Sequence, residues 1–434
     1  MLRGLALREL LGESRLLLFG LLMSFVSSAG QTFFISLFSA DFRAAFDLSH
    51  GEFGAIYSAA TLTSACVLVW AGGLLDRIDL RLFSAGVLIG LSAAGFVAGS
   101  TQGPVTLFLA IFMLRFFGQG LSSHVALTSA ARYAPDHIRG KAVSVASLGF
   151  PLGEAVWPIL VVAAIAAYGW RESYIGAALI LFFGFLPLAV GLLWTHGKRH
   201  EALLQRTEQA HQDGVQRQWT RGEVLRDPLF RWTLLGAMAP SFIVTGILFH
   251  QIHLVESKGW LLEAFAAGYA AYAIFQIGMS LITGPLVDRF GARSVAPFYM
   301  LPMTLGCVAL GLSDSIIAGV VFLSAIGVTS GASSNVLSTL WAELYGVRNL
   351  GAIKALVNAA LVGSSALSPF TMGWFLDQGV AIETIIFACV GYGVVAMIIL
   401  WSLYRRPSMK FAESKPQRMV KNEHRSDNHE DGGV

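Results

Sequence analysis

Two side chains stand out because ionisable groups are scarce around them. Arg115 and Glu154 each lie deep in a long apolar run. A lone charge at the middle of a bilayer costs about 2.5–3.5 kcal/mol on insertion scales, so such a residue is expected to have a partner or a task. If the run through 115 goes inward and the run through 154 goes outward, a helical rise puts them about 22 Å and about 18 Å from the same face. Those depths predict a direct or water-bridged ion pair. One reading is a proton site, with Glu154 protonated in one state and paired in another. The other is a static lock between two neighbouring helices. His124 and His250 also sit in apolar runs. An imidazole can donate and accept hydrogen bonds and takes a proton near pH ~6.5, or it can simply pack. Gln31, Asn335 and Asn358 add uncharged donors and acceptors, and Phe33, Phe34, Phe249, Trp157 and Trp341 could form apolar walls. Together these residues suggest a pocket of aromatic and amide groups. It would suit a neutral, zwitterionic or planar organic solute, a vitamin-like heterocycle for example, better than an inorganic ion.

The elements that must position these groups are membrane helices. The chain is 55% hydrophobic and 13% charged, against roughly 25% charged in soluble proteins. Its mean hydropathy is +0.64. About 20 apolar residues span a bilayer core as a helix. Twelve segments qualify: 16–40, 52–73, 82–100, 104–130, 142–168, 173–195, 229–252, 263–286, 294–313, 316–341, 352–376 and 383–404. They are too long for barrel strands and lack two-residue alternation. The first run is too long for a cleavable signal peptide, and no small-residue cleavage pattern follows it. Of the 30 Lys and Arg, only Arg43, Arg171 and Lys258 fall in loops on the side opposite the N-terminus, and Arg115 lies within a span. This asymmetry predicts that both termini are cytoplasmic. The basic tail is then expected to be solvated or lipid-facing, with no nucleic-acid partner.

The predicted organisation has four parts. A six-helix bundle occupies 1–195 and a second occupies 229–404. A polar, partly helical cytoplasmic linker covers 196–228, and a tail expected to be disordered covers 405–434. The two bundles carry a repeat. Gly72-Gly73-Leu74-Leu75-Asp76-Arg77-Ile78-Asp79-Leu80-Arg81 recurs 212 residues later as Gly284-Pro285-Leu286-Val287-Asp288-Arg289-Phe290-Gly291-Ala292-Arg293. At an offset of 211, Gly120-Leu121-Ser122-Ser123-His124-Val125 matches Gly331-Ala332-Ser333-Ser334-Asn335-Val336. The same offset pairs Ser147 with Asn358 and Pro158 with Pro369. A repeat on this scale marks a pseudo-symmetric membrane architecture and places His124 and Asn335 at equivalent depths.

The duplicated G-x-L-x-D-R-x-G-x-R loop resembles the loop signature of the major facilitator superfamily. Arg115-Phe116-Phe117-Gly118-Gln119-Gly120, Gly169-Trp170-Arg171-Glu172 and the stretch Ala134 to Lys141 are similar to further motifs of that family. The resemblance implies an all-α membrane protein with 12 transmembrane helices in two six-helix bundles. It also implies a central cavity lined by helices 1, 4, 7 and 10, alternating access, and function as a monomer. In the loop signatures, Asp76, Arg77, Arg81, Asp288, Arg289 and Arg293 are expected to bind neighbouring helix ends when the cytoplasmic side closes. Two departures qualify the picture. Asp79 stands where the first signature usually has Gly, and Gly149-Phe150-Pro151-Leu152-Gly153-Glu154 matches the exporter pattern of helix 5 only in part. Residues 263–286 contain no Arg, which disfavours a simple carboxylate carrier, although Arg115 could still bind an anion.

The function expected is secondary active transport in a bacterial inner membrane, with a small solute and protons as partners. No Walker loop is present, so an ion gradient must supply the energy. No cofactor or metal is expected. Cys66, Cys307 and Cys389 make no disulfide or metal framework, and no His-Glu-x-x-His or Gly-x-Ser-x-Gly motif suggests an enzyme. Within transport, uptake is set against efflux of amphipathic drugs and against monocarboxylate carriage. A membrane solute sensor is the alternative of another class, though neither tail is long enough for a typical signalling domain.

Overall fold

A computed structural model describes residues 13–71, 78–134, 139–194, 221–345 and 350–404. Among the described residues, twelve main helical segments run in order. They are α1 (Ser14–Ser36), α2 (His50–Ala71), α3 (Leu80–Gly99), α4 (Pro104–Tyr133), α5 (Ala142–Tyr168) and α6 (Trp170–Leu192). The second half follows with α7 (Pro228–Phe249), α8 (Leu262–Phe290), α9 (Leu301–Leu312), α10 (Ile316–Tyr345), α11 (Leu350–Asp377) and α12 (Ile382–Tyr404). Ten of the described segments are long and apolar enough to cross a membrane. The other two are α2, with 22 residues, and α9, with 12. The end of the bundle where α1 begins and α12 finishes is called proximal below, and the opposite end distal.

Local chemistry sets the helix ends. Pro104 and Pro228 open α4 and α7, where a missing N–H costs nothing. Asp227 caps α7 by accepting from the Leu229 amide at 2.9 Å. Gly169, at φ +87°, turns the chain between α5 and α6 in a left-handed conformation that a side chain would strain. The adjoining Arg171 guanidinium donates to the carbonyls of Gly99 (3.1 Å) and Thr101 (2.7 Å), so it pins the α3–α4 turn.

Several expected spans depart from a simple rod, α1 and the 294–313 span most of all. α1 is interrupted at Ser28–Gly30, resumes over Thr32–Ser36, and is followed by a separate helix at Ser39–Phe46. The cause is close packing. A side chain on Gly30 would meet Gly118 at 2.8 Å, so α1 breaks where its backbone lies against α4. α4 widens opposite this break into π-helical turns over Leu114–Ser122. The span expected over 294–313 is helical only at Ala292–Val295 and Leu301–Leu312, with turns between. Part of the linker, Arg221–Arg226, is helical. The remainder of the linker from 195 to 220 and the tail from 405 lie outside the described residues.

The halves meet chiefly along two helix pairs, α2 with α11 and α5 with α8, and also where the end of α1 touches α7. Small residues permit the first contact. A side chain on Gly54 would sit 2.6 Å from the Pro369 carbonyl oxygen.

Candidate functional site

Between the halves lies a cavity of about 250 Å³. α1 contributes Gln31, Thr32 and Phe33, α4 contributes Gln119, and α5 contributes Glu154. From the second half come Ser241, Val244, Thr245 and Leu248 of α7, Tyr269 and Tyr272 of α8, and Leu361, Val362 and Ser365 of α11. The break in α1 matters here, because Gln31 takes an extended backbone and opens the next turn. Flat aromatic faces, two primary amides, several hydroxyls and one carboxylate therefore share one chamber.

Glu154 lines this chamber, but the ion pair expected with Arg115 does not form. The Arg115 Nη1 donates to the Gly30 carbonyl (3.2 Å) and to Thr32 Oγ1 (3.4 Å). Its guanidinium also lies 5.3 Å from the centre of the Tyr57 ring. The broken turn of α1 offers the Gly30 carbonyl, and that acceptor captures the cation. Thr32 Oγ1 and Tyr57 OH are 2.7 Å apart and complete the cluster. Glu154 turns the other way. Its Oε1 accepts from Tyr272 OH on α8 at 3.3 Å, and the Gln276 side chain of α8 also approaches the carboxylate, whose buried Oε2 makes no hydrogen bond of ordinary geometry. Depth along the helices was compatible with a pair, whereas rotation about each helix axis sent the two groups apart.

The other sequence candidates divide by location. Gln31 lines the cavity. Phe34 does not, since it is buried against Phe38, Trp157 and Tyr174, and its neighbour Phe33 faces the chamber instead. His124 is half-buried further toward the proximal end, with Nδ1 3.5 Å from Thr128 Oγ1. Asn335 donates to the Ser280 carbonyl at 2.8 Å, so it ties α10 to α8. α10 supplies none of the cavity's lining residues; its small residues face α8, where Gly331 abuts the Gln276 backbone. Asn358 is exposed on α11, one turn proximal to Leu361 and Val362. Trp341 packs with Phe230 and Tyr345 away from the chamber.

Phe249 and His250 belong to the distal seam. Phe249 stacks on Phe53 at 5.0 Å and contacts Tyr57 at 4.6 Å, both from the opposite half. His250 ends α7 and bonds through Nε2 to the Pro369 carbonyl at 3.1 Å. The next residue, Gln251, is fully buried. Its amide nitrogen donates to the Phe33 carbonyl (2.9 Å) and to Ser36 Oγ (2.7 Å), and its oxygen accepts from Tyr269 OH (2.8 Å). Ser36 Oγ is also 2.8 Å from the Leu248 carbonyl, and Ser58 Oγ donates to the Ala366 carbonyl. Asp377, at the end of α11, caps α2 in the other half. Its carboxylate accepts from Ser49 Oγ (2.8 Å), the His50 amide (3.0 Å) and the Gly51 amide (2.7 Å).

The loop signatures occupy the proximal end. Asp76 and Arg77 lie outside the described residues, as does the side chain of Asp288. Arg81 pairs with Asp79 at 3.1 Å, and Asp79 accepts from the Arg81 amide at 2.8 Å as the cap of α3. In the second copy Gly291 takes φ +79°, and Glu343 of α10 provides the cap by accepting from the Ala292 amide at 2.7 Å. Arg293 Nη2 donates to the Glu343 carbonyl at 3.0 Å. Arg289 is exposed, 5.2 Å from the centre of the Phe290 ring. The departure at Asp79 therefore has a structural reason: the first copy supplies its own cap, and the second borrows one.

Sequence reasoning missed most of the second half's share of the chamber. The signal was present as Ser241, Thr245 and Leu248 at helical spacing on α7, and as Tyr269 and Tyr272 on one face of α8. A search for ionisable groups passes over both.

The model of the Major Facilitator Superfamily matches residues 20–274 and 251–427. The chain belongs to the Major Facilitator Superfamily. Among characterised relatives it is similar to the niacin transporter NiaP of Acinetobacter baylyi, 22% identical over 380 residues that cover 81% of this chain and 85% of that protein. Its fold is like that of the nucleoside transporter NupG, with a TM-score of 0.69 and 12% identity, over 90% of this chain and all of that one. It is also like the inward-open xylose transporter XylE from E. coli, with a TM-score of 0.64 and 17% identity, over 91% and 96% of the two chains. This Major Facilitator Superfamily member is thus a multi-pass integral membrane protein and a transporter of small solutes.

Proposed function

We propose that this chain takes up a small planar metabolite by proton-coupled alternating access. The observation that carries the reading is Glu154. Among the described residues it is the one carboxylate lining the chamber, and its side-chain partners, Tyr272 and Gln276, both belong to the other half. A carboxylate so placed binds a proton or a donor group of the solute, and its bond to α8 changes when the halves rock. Arg115 is the nearby cation, positioned by Gly30 and Thr32 rather than by Glu154. The positive charge of the proximal loops supports a cytoplasmic proximal end and an external distal end, which we place in a bacterial inner membrane. The interlocked distal seam then corresponds to an inward-facing protein, working as a monomer.

Gln31 and Gln119 would hydrogen-bond the solute while Phe33, Tyr269 and Tyr272 cover its faces. Asn358 and His124 would line the path to the cytoplasm. Ligand pockets range over roughly 300–1,000 Å³, so a chamber of about 250 Å³, just below that range, suits a single- or fused-ring metabolite better than a bulky amphipathic drug. The similarity to a niacin transporter makes a pyridine carboxylate the first solute to try. Bound together with one proton, such an anion travels as a neutral pair.

The test is uptake of labelled niacin and related heterocycles into proteoliposomes with an acidic exterior. Accumulation above equilibrium, collapsed by a protonophore, is expected. Glu154→Gln should retain solute exchange between the two faces and lose accumulation. Normal accumulation by Glu154→Gln would remove the proton role.

A further inference from the structure

His250, first expected in the solute pocket, leads instead to a group of histidines in the distal seam. The His50 ring, at the start of α2, lies 5.7 Å from the His250 ring and 4.6 Å from the His253 ring. The first belongs to one half and the other two to the opposite half. His250 is buried and committed to the Pro369 carbonyl. His50 and His253 are both half-buried at the distal rim.

One contact fixes the protonation of His50. Arg43, on the helix Ser39–Phe46, places Nη1 3.1 Å from His50 Nε2. A guanidinium can only donate, so His50 Nε2 must offer a lone pair and the ring is neutral. A proton on Nε2 would break that bond and set two cations in contact. It would also place a positive ring edge-on to His253.

The surrounding charges are mixed. On the His50 side stand Arg43, Glu52 of α2 and Asp377 of α11, but Asp377 is already occupied by the Ser49 hydroxyl and two amides. Glu52 is engaged by the Ser49 amide at 2.9 Å. On the His253 side stand Glu256 and Glu383, the latter held by Lys258 at 3.0 Å, with Asp314 also on that lysine at 2.6 Å. Burial, followed by the Arg43 charge, pulls the His253 pKa below its ordinary value, while Glu256 and Glu383 oppose the shift without cancelling it.

We propose that His50 and His253 form a proton-binding site on the distal gate, and that protons taken up there drive the two halves apart at that end. The site is separate from the cavity carboxylate and needs no solute. The linkage has one sign. A group that binds protons less well in the closed seam than in an open, hydrated one favours opening as pH falls. Each unit of difference in pKa between the two conformations shifts their ratio about tenfold. A proton arriving from the acidic side would thereby open the door through which the solute enters, before either reaches Glu154.

The test is a pH series of distances between spin labels on distal positions of the two halves, Val105→Cys and Leu312→Cys, with Cys66→Ser in nanodiscs. Both labelled positions are highly exposed, while Cys307 and Cys389 are buried. Acidification from about pH 8 to about pH 5.5, which spans the ordinary histidine range, should enrich a longer distance in the parent and in Glu154→Gln. The combined His50→Gln and His253→Gln variant should lose that response. His50→Lys, which installs a permanent cation, should show the longer distance already at the higher pH. A response that survives the double variant, is absent from the parent, or disappears with Glu154→Gln alone overturns the proposal. A His50→Lys protein that is folded and stays closed overturns it as well.

Discussion

The two ends of the bundle use polar side chains in opposite ways. At the distal end the partners belong to different halves. Asp377 caps a helix it is not part of, and Gln251, just beyond α7, bonds α1. At the proximal end the bonds between described residues stay within one half. Asp79 holds Arg81, Glu343 holds Arg293, Asp227 accepts from Tyr345 at 2.7 Å, and Lys354 donates to Ser338 at 2.6 Å. The Gln251 and Ser36 bonds are buried and reach backbone groups, so leaving one unmade is costly, whereas the Asp377 cap is exposed. The proximal Asp79–Arg81 pair is partly exposed, where an ion pair is worth little. Closure is therefore written in which half owns each partner, more than in how many polar groups an end contains.

The contrast can be broken most strongly at Gly54. A side chain there meets the Pro369 carbonyl, which cannot swing aside as a flexible side chain would. Gly54→Val should weaken distal closure by about 3 kcal/mol, the upper end for overpacking, and thiol labelling of a distal cysteine should accelerate. Gln251→Ala comes next. It leaves the buried Tyr269 hydroxyl without its acceptor and removes one of two donors to the Phe33 carbonyl, for about 1–3 kcal/mol, and the same labelling rate reports it. Asp377→Asn keeps the shape and removes the charge at the start of α2, so a loss of about 1 kcal/mol is expected. The lowered apparent melting temperature should be recovered when the distal end is crosslinked. The smallest change is Arg81→Ala. Its ion pair lies within one half and is solvent-screened, so neither the thermal unfolding midpoint nor the distal labelling rate should move measurably. A distal response to Arg81→Ala would show that the ends are not independent.

The sequence was most informative where a property belongs to one segment. Apolar length predicted the helices, and the duplicated loop led to the family that the full-chain match establishes. Glu154 and Gln31 were also legible, because a carboxylate or an amide in an apolar run needs somewhere to go. Partner choice was not. Arg115 and Glu154 share a depth but face different ways, since each residue along a helix rotates the side chain by about 100° and α1 breaks at the point where it can capture the arginine. Asn335 matches His124 in the repeat, yet its amide is spent on α8. The tyrosines of α8 were overlooked because a tyrosine in a membrane run is unremarkable until a carboxylate from another helix stands beside it.

By itself, then, the order of residues determined the class of molecule, the pseudo-symmetry of its halves and the short inventory of polar groups available within the membrane. Those follow from composition, length and repetition, which are local or additive. Only the tertiary structure decided which polar groups meet. It sent Glu154 to Tyr272, gathered His50 and His253 at a seam between halves, and kept Arg81 on Asp79 within its own half. The reason is physical: hydrogen bonds and charge contacts act over a few ångströms, and helix rotation, a broken turn and a glycine contact move side chains by more than that.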